Sequence, residues 1–210
     1  GNPFHFLLKE TPYDWPAFTA FGFFMETEVM VGKSTLRVSI LESQRRLEFK
    51  KSILQGVKDA ARAVSSVTGN FPIDDLQVLV EPGAYGPNAI SVGYVSRGGR
   101  PAVHLHINER KHDVFATDST ILHEFAHLLL PKVNNTDSWL TEGLATYYEY
   151  ILAARMGHKS VRDTLNMFRK NFERARLSLP KKSLLEVSQS KSFTIGRDKI
   201  YWGGAAIFFM

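Results

Sequence analysis

The stretch Thr120-Ile-Leu-His-Glu-Phe-Ala-His-Leu-Leu-Leu130 decides how this chain folds and what it can bind. Its apolar residues, Ile, Leu, Phe and Ala, are distributed almost all around the circumference of a helix, which is typical of a buried helix. Asp118 or Ser119 can cap the start of this helix. Pro131 ends it, because the residue before a proline is pushed out of helical geometry. We therefore predict a short buried helix that ends at about Leu130.

Three polar side chains on this helix form a motif that is typical of a metal site. His123 and His127 are four positions apart, so a helix stacks their imidazoles on one face. Two neutral imidazoles placed in this way can bind one Zn²⁺ ion. Glu124 borders the same face, where it can take a proton from a water bound to the metal. The alternative is that both histidines are core residues bonded to backbone carbonyls, but a metal ion gives all three polar groups a partner.

A third ligand is predicted on the next helix, over residues 138–150. Asp137 or Ser138 can cap this helix, and Glu142 falls in its first turn. The linker from Pro131 is short and polar, so the two helices are neighbours and Glu142 can reach the metal. Two histidines and one glutamate leave a fourth position open for water, as in a catalytic zinc site. The chain has no cysteine, which agrees because structural zinc usually takes thiolate ligands.

Three segments of the chain together resemble a known family. His-Glu-Phe-Ala-His at 123–127 is followed by Trp-Leu-Thr-Glu-Gly-Leu-Ala-Thr-Tyr-Tyr-Glu at 139–149, and later by Tyr-Trp-Gly-Gly-Ala-Ala at 201–206. They resemble the signature of the gluzincin metallopeptidases, in particular the aminopeptidase-N-like and glycyl-aminopeptidase-like families. The resemblance implies an α+β fold of the thermolysin-like zincin type. In that fold a small mixed β-sheet with an edge strand lies beside a mainly helical half.

The resemblance also implies a role for each residue of the motif. It makes His123, His127 and Glu142 the ligands of one Zn²⁺ ion. Glu124 is then the general base, and Tyr201 is the hydroxyl that stabilises the tetrahedral oxyanion. The role of Tyr201 is physically sensible, because a phenol can donate to an oxygen whose charge grows only in the transition state. The implied activity is zinc-dependent hydrolysis of peptide bonds in a peptide or protein substrate.

The strand before the metal helix is expected to contact the substrate. In gluzincins a sheet edge next to this helix pairs with the substrate backbone, and the resemblance places residues 102–107 there. Ala102, Val103 and His104 are therefore the predicted substrate-binding residues. His104 and His106 alternate onto one face of this strand. A second metal site and a solvated strand face are both open interpretations of that pair.

Glu149 follows Glu142 at about two helical turns, on the same face of the helix. It can accept the free ring N–H of a ligand histidine, as carboxylates near zinc sites commonly do. The alternative is a salt bridge to Arg155 or to another base.

Departures from the family pattern leave the type of peptidase open. Only fourteen residues separate His127 from Glu142, the lysine of the last motif is Gly203, and no Gly-x-Met-Glu-Asn segment supplies an anchor for a substrate amine. An aminopeptidase-like activity is expected from the resemblance. An endopeptidase of the same clan and a binding module with a silent peptidase fold are the alternatives.

Composition bounds the remaining possibilities. A chain of 210 residues with 44% hydrophobic residues can bury a real core, and we expect an N-terminal β-rich segment at 1–45 before a catalytic domain at 46–210. The net charge of +5 does not indicate nucleic-acid binding, and no apolar run reaches the roughly 18 residues of a membrane span.

The chain starts without methionine, so export with removal of a signal is one expectation and a cytoplasmic location the other. Its apolar end predicts a continuation beyond residue 210.

The remaining segments are predicted from their periodicity. Residues 43–68 and 159–176 have the apolar spacing of amphipathic helices. Residues 184–197 are predicted to form a short helix and a loop, before a terminal helix that begins near Tyr201.

Overall fold

The computed structural model describes residues 20–42, 47–97, 100–179, 181–190 and 193–210. Within these residues the strands are β1 (Phe24–Val31), β2 (Ser34–Leu41), β3 (Asp75–Pro82), β4 (Ile90–Ser96) and β5 (Ala102–Ile107). The α-helices are α1 (Leu47–Thr68), α2 (Thr120–Ala126), α3 (Ser138–Arg155), α4 (Val161–Leu177), α5 (Leu184–Gln189), α6 (Phe193–Asp198) and α7 (Gly204–Phe209). The strands form one mixed sheet and most helices follow it in the chain, which confirms the predicted α+β class.

The order of the strands in the sheet is β1-β2-β3-β5-β4. The three central strands run parallel, whereas β1 and β4 are antiparallel to their neighbours. The turn between β1 and β2 contains Gly32, whose positive φ of 59° favours glycine. The N-terminal β-rich segment that the sequence predicts adds strands to this sheet in its described part. The pairing of β2 with β3 supports extra strands for residues 24–41. Residues 1–19 and 43–46 lie outside the described residues, and the division of the chain at residue 45 stays a prediction.

The prediction that residues 102–107 form the sheet edge is wrong. β5 is hydrogen-bonded on both sides, and its His104 lies opposite Leu79 of β3 and Tyr94 of β4. The chain reverses after β4, so the strand that comes earlier in the sequence takes the outer position. Val103 and His104 are buried, and the backbone groups of β5 are used inside the sheet. The edge strand beside the metal motif is β4.

The core lies between one face of the sheet and the helices α1 and α2. The apolar side of α1 is completely buried at Ile53, Val57 and Val64. These side chains belong to one cluster with Val78 and Leu105 of the sheet, and with further residues of α2. The amphipathic helix predicted over residues 43–68 is thereby confirmed for its described part, and it holds the sheet at a fixed distance from α2.

The helical half packs on α2 through α3, and its last helices return to α3. A Cβ atom on Gly143 would lie 2.5 Å from the carbonyl carbon of Gly204, so glycine at this crossing lets the two backbones approach closely.

The prediction that the terminal helix begins near Tyr201 is wrong. Helical structure begins at Phe193 and continues through a π-helical turn at Lys199–Gly203. None of the helices in the described part of the chain has the length and apolar character that are needed to cross a bilayer.

Candidate metal centre and cleft

The metal motif lies on α2, at the boundary between the sheet and the helical half. His127 follows α2 in a tighter helical turn, and Leu130 is extended before Pro131, as predicted. At the other end, Asp118 accepts hydrogen bonds from the backbone N–H groups of Thr120 at 3.0 Å and of Ile90 at 2.9 Å. One carboxylate therefore caps the start of α2 and ties it to the edge strand.

The structure brings together the three side chains that the sequence predicts as ligands. Glu142 Oε2 lies 3.2 Å from His123 Nε2 and 3.6 Å from His127 Nε2. The three candidate ligand atoms all lie within 4.8 Å of one another. Glu142 is in the second turn of α3 rather than the first, because the helix begins at Ser138. The short linker nevertheless brings the two helices side by side, as we expected.

This donor set fits a zinc ion. Two imidazole nitrogens and one carboxylate oxygen are the ligands of many catalytic zinc sites. Among the described residues, no other group of three or more histidine, aspartate or glutamate side chains converges in this way. His104 and His106 thus do not form a second centre with a third such ligand in the described part of the chain. His104 is buried and its ring stacks on Tyr94, with 4.6 Å between the ring centroids.

Glu149 holds one of the predicted ligands in place. Its Oε2 lies 3.1 Å from His123 Nδ1, while its Oε1 accepts a 2.7 Å hydrogen bond from the hydroxyl of Ser119. The carboxylate therefore orients the ring so that Nε2 faces Glu142 and His127. Of the two interpretations of Glu149, the contact with histidine is the one that the structure contains.

Burial and neighbouring carboxylates control the charges at the centre. Burial alone lowers the pKa of His123, but hydrogen bonds to Glu142 and Glu149 outweigh it and raise this pKa to about 10. His127 has fewer carboxylate contacts, and burial lowers its pKa to about 4. Burial raises the pKa of Glu142, but the hydrogen bonds to His123 and Tyr201 and the charges of the two histidines together outweigh this effect, so the pKa is lowered overall.

Glu124 is buried against the edge strand. A Cβ atom on Gly93 of β4 would lie 2.5 Å from the Cγ atom of Glu124, so only glycine leaves room for this side chain. Burial raises the pKa of Glu124 to about 7, assisted by the charges of Glu142 and Glu149 and opposed by that of His123. A carboxyl group with a pKa near neutrality is suited to accepting and returning a proton.

Tyr201 lies beside the centre, on the π-helical turn. Its ring is nearly parallel to that of His123, with the centroids 5.8 Å apart, and its hydroxyl is hydrogen-bonded to Glu142. The guanidinium of Arg197 lies over the ring, 5.3 Å from its centroid. Turns of π-helix occur frequently at functional sites. This one turns the phenol of Tyr201 towards the ligand cluster.

Two cavities open on either side of the centre, and both are lined by Gly93, His123, Glu124 and Tyr201. We call them the Arg97 arm, of about 480 Å³, and the Arg174 arm, of about 650 Å³. The Arg97 arm is also lined by Tyr94, Val95, Arg97, Pro131, Lys132, Val133, Asn134, Ser138, Thr141 and Ser188. The edge strand β4 passes both arms, so an extended ligand along this strand would cross the metal centre.

Sequence reasoning missed two residues of this cleft. Gly93 lies in a stretch that is rich in glycine, where a strand is predicted over residues 91–96, but nothing in its local pattern shows that it contacts the metal motif. Arg97 directly follows β4, and its Nη2 donates a 2.5 Å hydrogen bond to the backbone carbonyl of His127. Recognising either residue requires knowing that β4, and not β5, is the edge strand. The predicted substrate residues on β5 are instead inside the sheet.

No protein-family model and no curated protein sequence matches the chain. Solved structures do match. An aminopeptidase N family protein from Idiomarina loihiensis is 12% identical with a TM-score of 0.62, covering 89% of this chain and 36% of that protein. For yeast LTA4 hydrolase the identity is 12%, the TM-score 0.58, and the coverage 88% and 30%. An M1 zinc metallopeptidase mutant from Deinococcus radiodurans, bound to a Tyr-Ser-Ala substrate, has 19% identity, a TM-score of 0.54 and coverage of 87% and 38%.

The chain has the fold of part of an M1 metallopeptidase. The fold match extends over most of the chain, including both the sheet and the helical half. The chain spans only about a third of the length of these proteins. At this level of identity the M1 fold is what the comparisons establish, and it agrees with the gluzincin resemblance of the metal motif.

Proposed function

We propose that this chain carries the zinc centre of a metallopeptidase and hydrolyses peptide bonds, with an activity similar to that of the aminopeptidases. The observation that carries the proposal is the convergence of His123, His127 and Glu142 within 4.8 Å, beside the buried carboxyl of Glu124. The M1 fold and the tripeptide substrate of the Deinococcus protein support a peptide as the substrate.

In this mechanism His123, His127 and Glu142 hold the zinc ion. When bound there, zinc supplies Lewis acidity, which polarises the scissile carbonyl and makes water a stronger acid. Glu124 accepts a proton from the attacking water as its oxygen bonds to the carbonyl carbon. The same carboxyl then gives the proton to the nitrogen as the carbon–nitrogen bond breaks. Glu149 keeps the ring of His123 in the orientation that this site requires.

Tyr201 and β4 complete the proposed site. The phenol of Tyr201 donates a hydrogen bond to the carbonyl oxygen as its negative charge develops, and this stabilises the transition state more than the substrate. The outer edge of β4 offers backbone N–H and C=O groups for pairing with an extended peptide. This pairing does not depend on particular side chains, and it places the peptide across Glu124.

Removal of the metal tests the proposed function. We expect the protein to hydrolyse peptides from a mixed library, to lose this activity on dialysis against a chelator, and to regain it with one equivalent of zinc. Mass spectrometry of the products measures the hydrolysis, and peptides with free or blocked amino termini distinguish an aminopeptidase from an endopeptidase. Hydrolysis that survives complete metal removal would contradict the proposal. A zinc-loaded protein that cleaves nothing would favour the silent binding module.

Replacing Tyr201 with phenylalanine is expected to lower kcat by about 10²-fold to 10³-fold and to change KM little, because the phenol acts mainly in the transition state. Steady-state kinetics on the best peptide of the library would measure both constants, with zinc content checked alongside. Tyr148→Phe is the matched control, since it removes a phenol from the same helix as Glu142 but lines neither arm. Equal effects on kcat and KM would indicate a packing role for Tyr201 instead.

A further inference from the structure

The Arg97 arm has an unusual balance of charge. Among its described lining residues the carboxylates are Glu124 and Glu142, both of which belong to the proposed centre. Apart from the histidines of the proposed centre, the cations are Arg97 and Lys132, and neither makes an ion pair with a carboxylate in the described part of the chain. This side of the cleft therefore offers positive charge without a neutralising partner.

Arg97 is partly buried and is fixed at the end of the edge strand. One of its N–H groups donates to the carbonyl of His127, a neutral acceptor that leaves the charge uncompensated. A guanidinium has five N–H donors in a rigid fork, which matches the two oxygens of a carboxylate. The Arg174 arm is different, because its lining includes the carboxylates Glu149 and Asp198 beside its two arginines, Arg174 and Arg197, and Asp198 lies 2.7 Å from Arg174. The contrast between the arms is what distinguishes Arg97 from an ordinary surface cation.

We propose that Arg97 binds a carboxylate of the substrate, so that the enzyme acts on acidic peptides. The inference names the substrate class of the proposed peptidase and rests on that function. Arg97 is four residues from Gly93, or roughly 13 Å along the strand at about 3.3 Å per residue. Arg97 lines the same cavity as Glu124. Its long side chain therefore brings the guanidinium closer to the metal centre than the backbone distance. The recognised carboxylate therefore lies within about two residues of the scissile bond.

The charge of this arm also opposes a free amino terminus. An ammonium group placed in the Arg97 arm would meet two cations, and the carboxylates available there are already engaged by the metal centre or needed for proton transfer. Coulomb repulsion between like charges is stronger in a partly desolvated cleft than in bulk water. A substrate that is acidic or lacks a free amine on this side is therefore favoured over one that places its amino terminus there.

Binding without catalysis tests the proposal. In zinc-loaded Glu124→Gln protein, isothermal titration calorimetry would compare hexapeptides that differ only by Glu or Gln at one position. A second pair, with a free or an amidated carboxyl terminus, distinguishes an acidic side chain from a terminal carboxylate. In one of the two pairs, we expect the peptide with the extra carboxylate to bind at least about tenfold more tightly than its neutral match. The reason is that hydrogen bonds to charged groups are stronger than those between neutral groups. Equal affinities for all matched peptides would overturn the proposal.

Substitution of Arg97 identifies the residue responsible. Arg97→Gln is expected to remove the preference for the carboxylate, whereas Arg97→Lys, which keeps the charge, should retain part of it. Arg100→Gln is the control, because it removes the same charge from an exposed arginine that pairs with Asp75 and lines neither arm. A preference that survives Arg97→Gln would overturn the assignment, as would a loss of binding that is equal for acidic and neutral peptides. Charge-dependent binding in the Glu124→Gln protein, together with no hydrolysis by the unmodified zinc-loaded protein, would instead refute the proposed function alone.

Discussion

Replacing Glu124 with glutamine is expected to abolish nearly all hydrolysis and to leave zinc binding intact. The amide has nearly the same shape, so it fits the space beside Gly93 and does not disturb the ligands. It cannot accept the proton of the attacking water, however, and general acid–base catalysis is worth about 10²-fold to 10⁴-fold in rate. The loss should appear in kcat, with metal content close to that of the unmodified protein.

Kinetics and elemental analysis on the same preparations would check this expectation. Glu173→Gln is a suitable control, because it makes the same change on an exposed part of α4, where the carboxylate pairs with Arg176. A Glu124→Gln protein that is fully loaded with zinc and retains its activity would remove Glu124 from the mechanism. A protein that has lost both zinc and activity would show that Glu124 acts on the metal site and not on the proton.

Replacing Glu142 with glutamine is expected to have the largest effect on metal affinity, because it removes a charged ligand. Glu149→Gln should have a smaller effect, since Glu149 contacts His123 Nδ1 and not the metal position. Loss of such an outer partner typically costs about 10-fold to 100-fold in affinity, and loss of a ligand should exceed that range. The expected order of zinc affinity is therefore unmodified protein, then Glu149→Gln, then Glu142→Gln.

Competition with a chelator of known zinc affinity would measure this order. Both substitutions remove one negative charge from α3, so each serves as the electrostatic control for the other. Equal losses in the two variants would indicate that charge alone matters at this position. An unchanged affinity in Glu142→Gln would show that Glu142 is not a ligand, despite lying 3.2 Å from His123 Nε2.

The metal motif could be predicted from the sequence because its residues lie close together along the chain, which limits where the fold can place them. His123 and His127 are one helical turn apart, and the linker to α3 is too short to carry Glu142 far away. Glu149 could be predicted only as one of two alternatives, because its choice between a histidine and a base depends on how α2 and α3 pack. Tyr201 came from the family resemblance, and the π-helical turn that carries it had no recognised signal in the sequence.

The order of the strands in the sheet could not be predicted from the sequence. The assignment of β5 to the sheet edge followed the order of the strands in the chain, whereas β4 folds back onto β5 and takes the outer position. This one difference moved the expected substrate contacts from Ala102, Val103 and His104 to the outer edge of β4. It also hid Arg97, whose meaning depends on which strand borders the cleft.

Diffraction data collected on both sides of the zinc absorption edge would show directly whether side chains from two successive helices bind one zinc ion. We expect a single anomalous peak at the junction of His123, His127 and Glu142. Its distances to the two imidazole nitrogens should be about 2.0–2.1 Å, and the carboxylate oxygen should lie at about 2.0–2.2 Å. A zinc-supplemented crystal with no peak there, with Glu142 bonded only to the protonated ring of His123, would contradict the account.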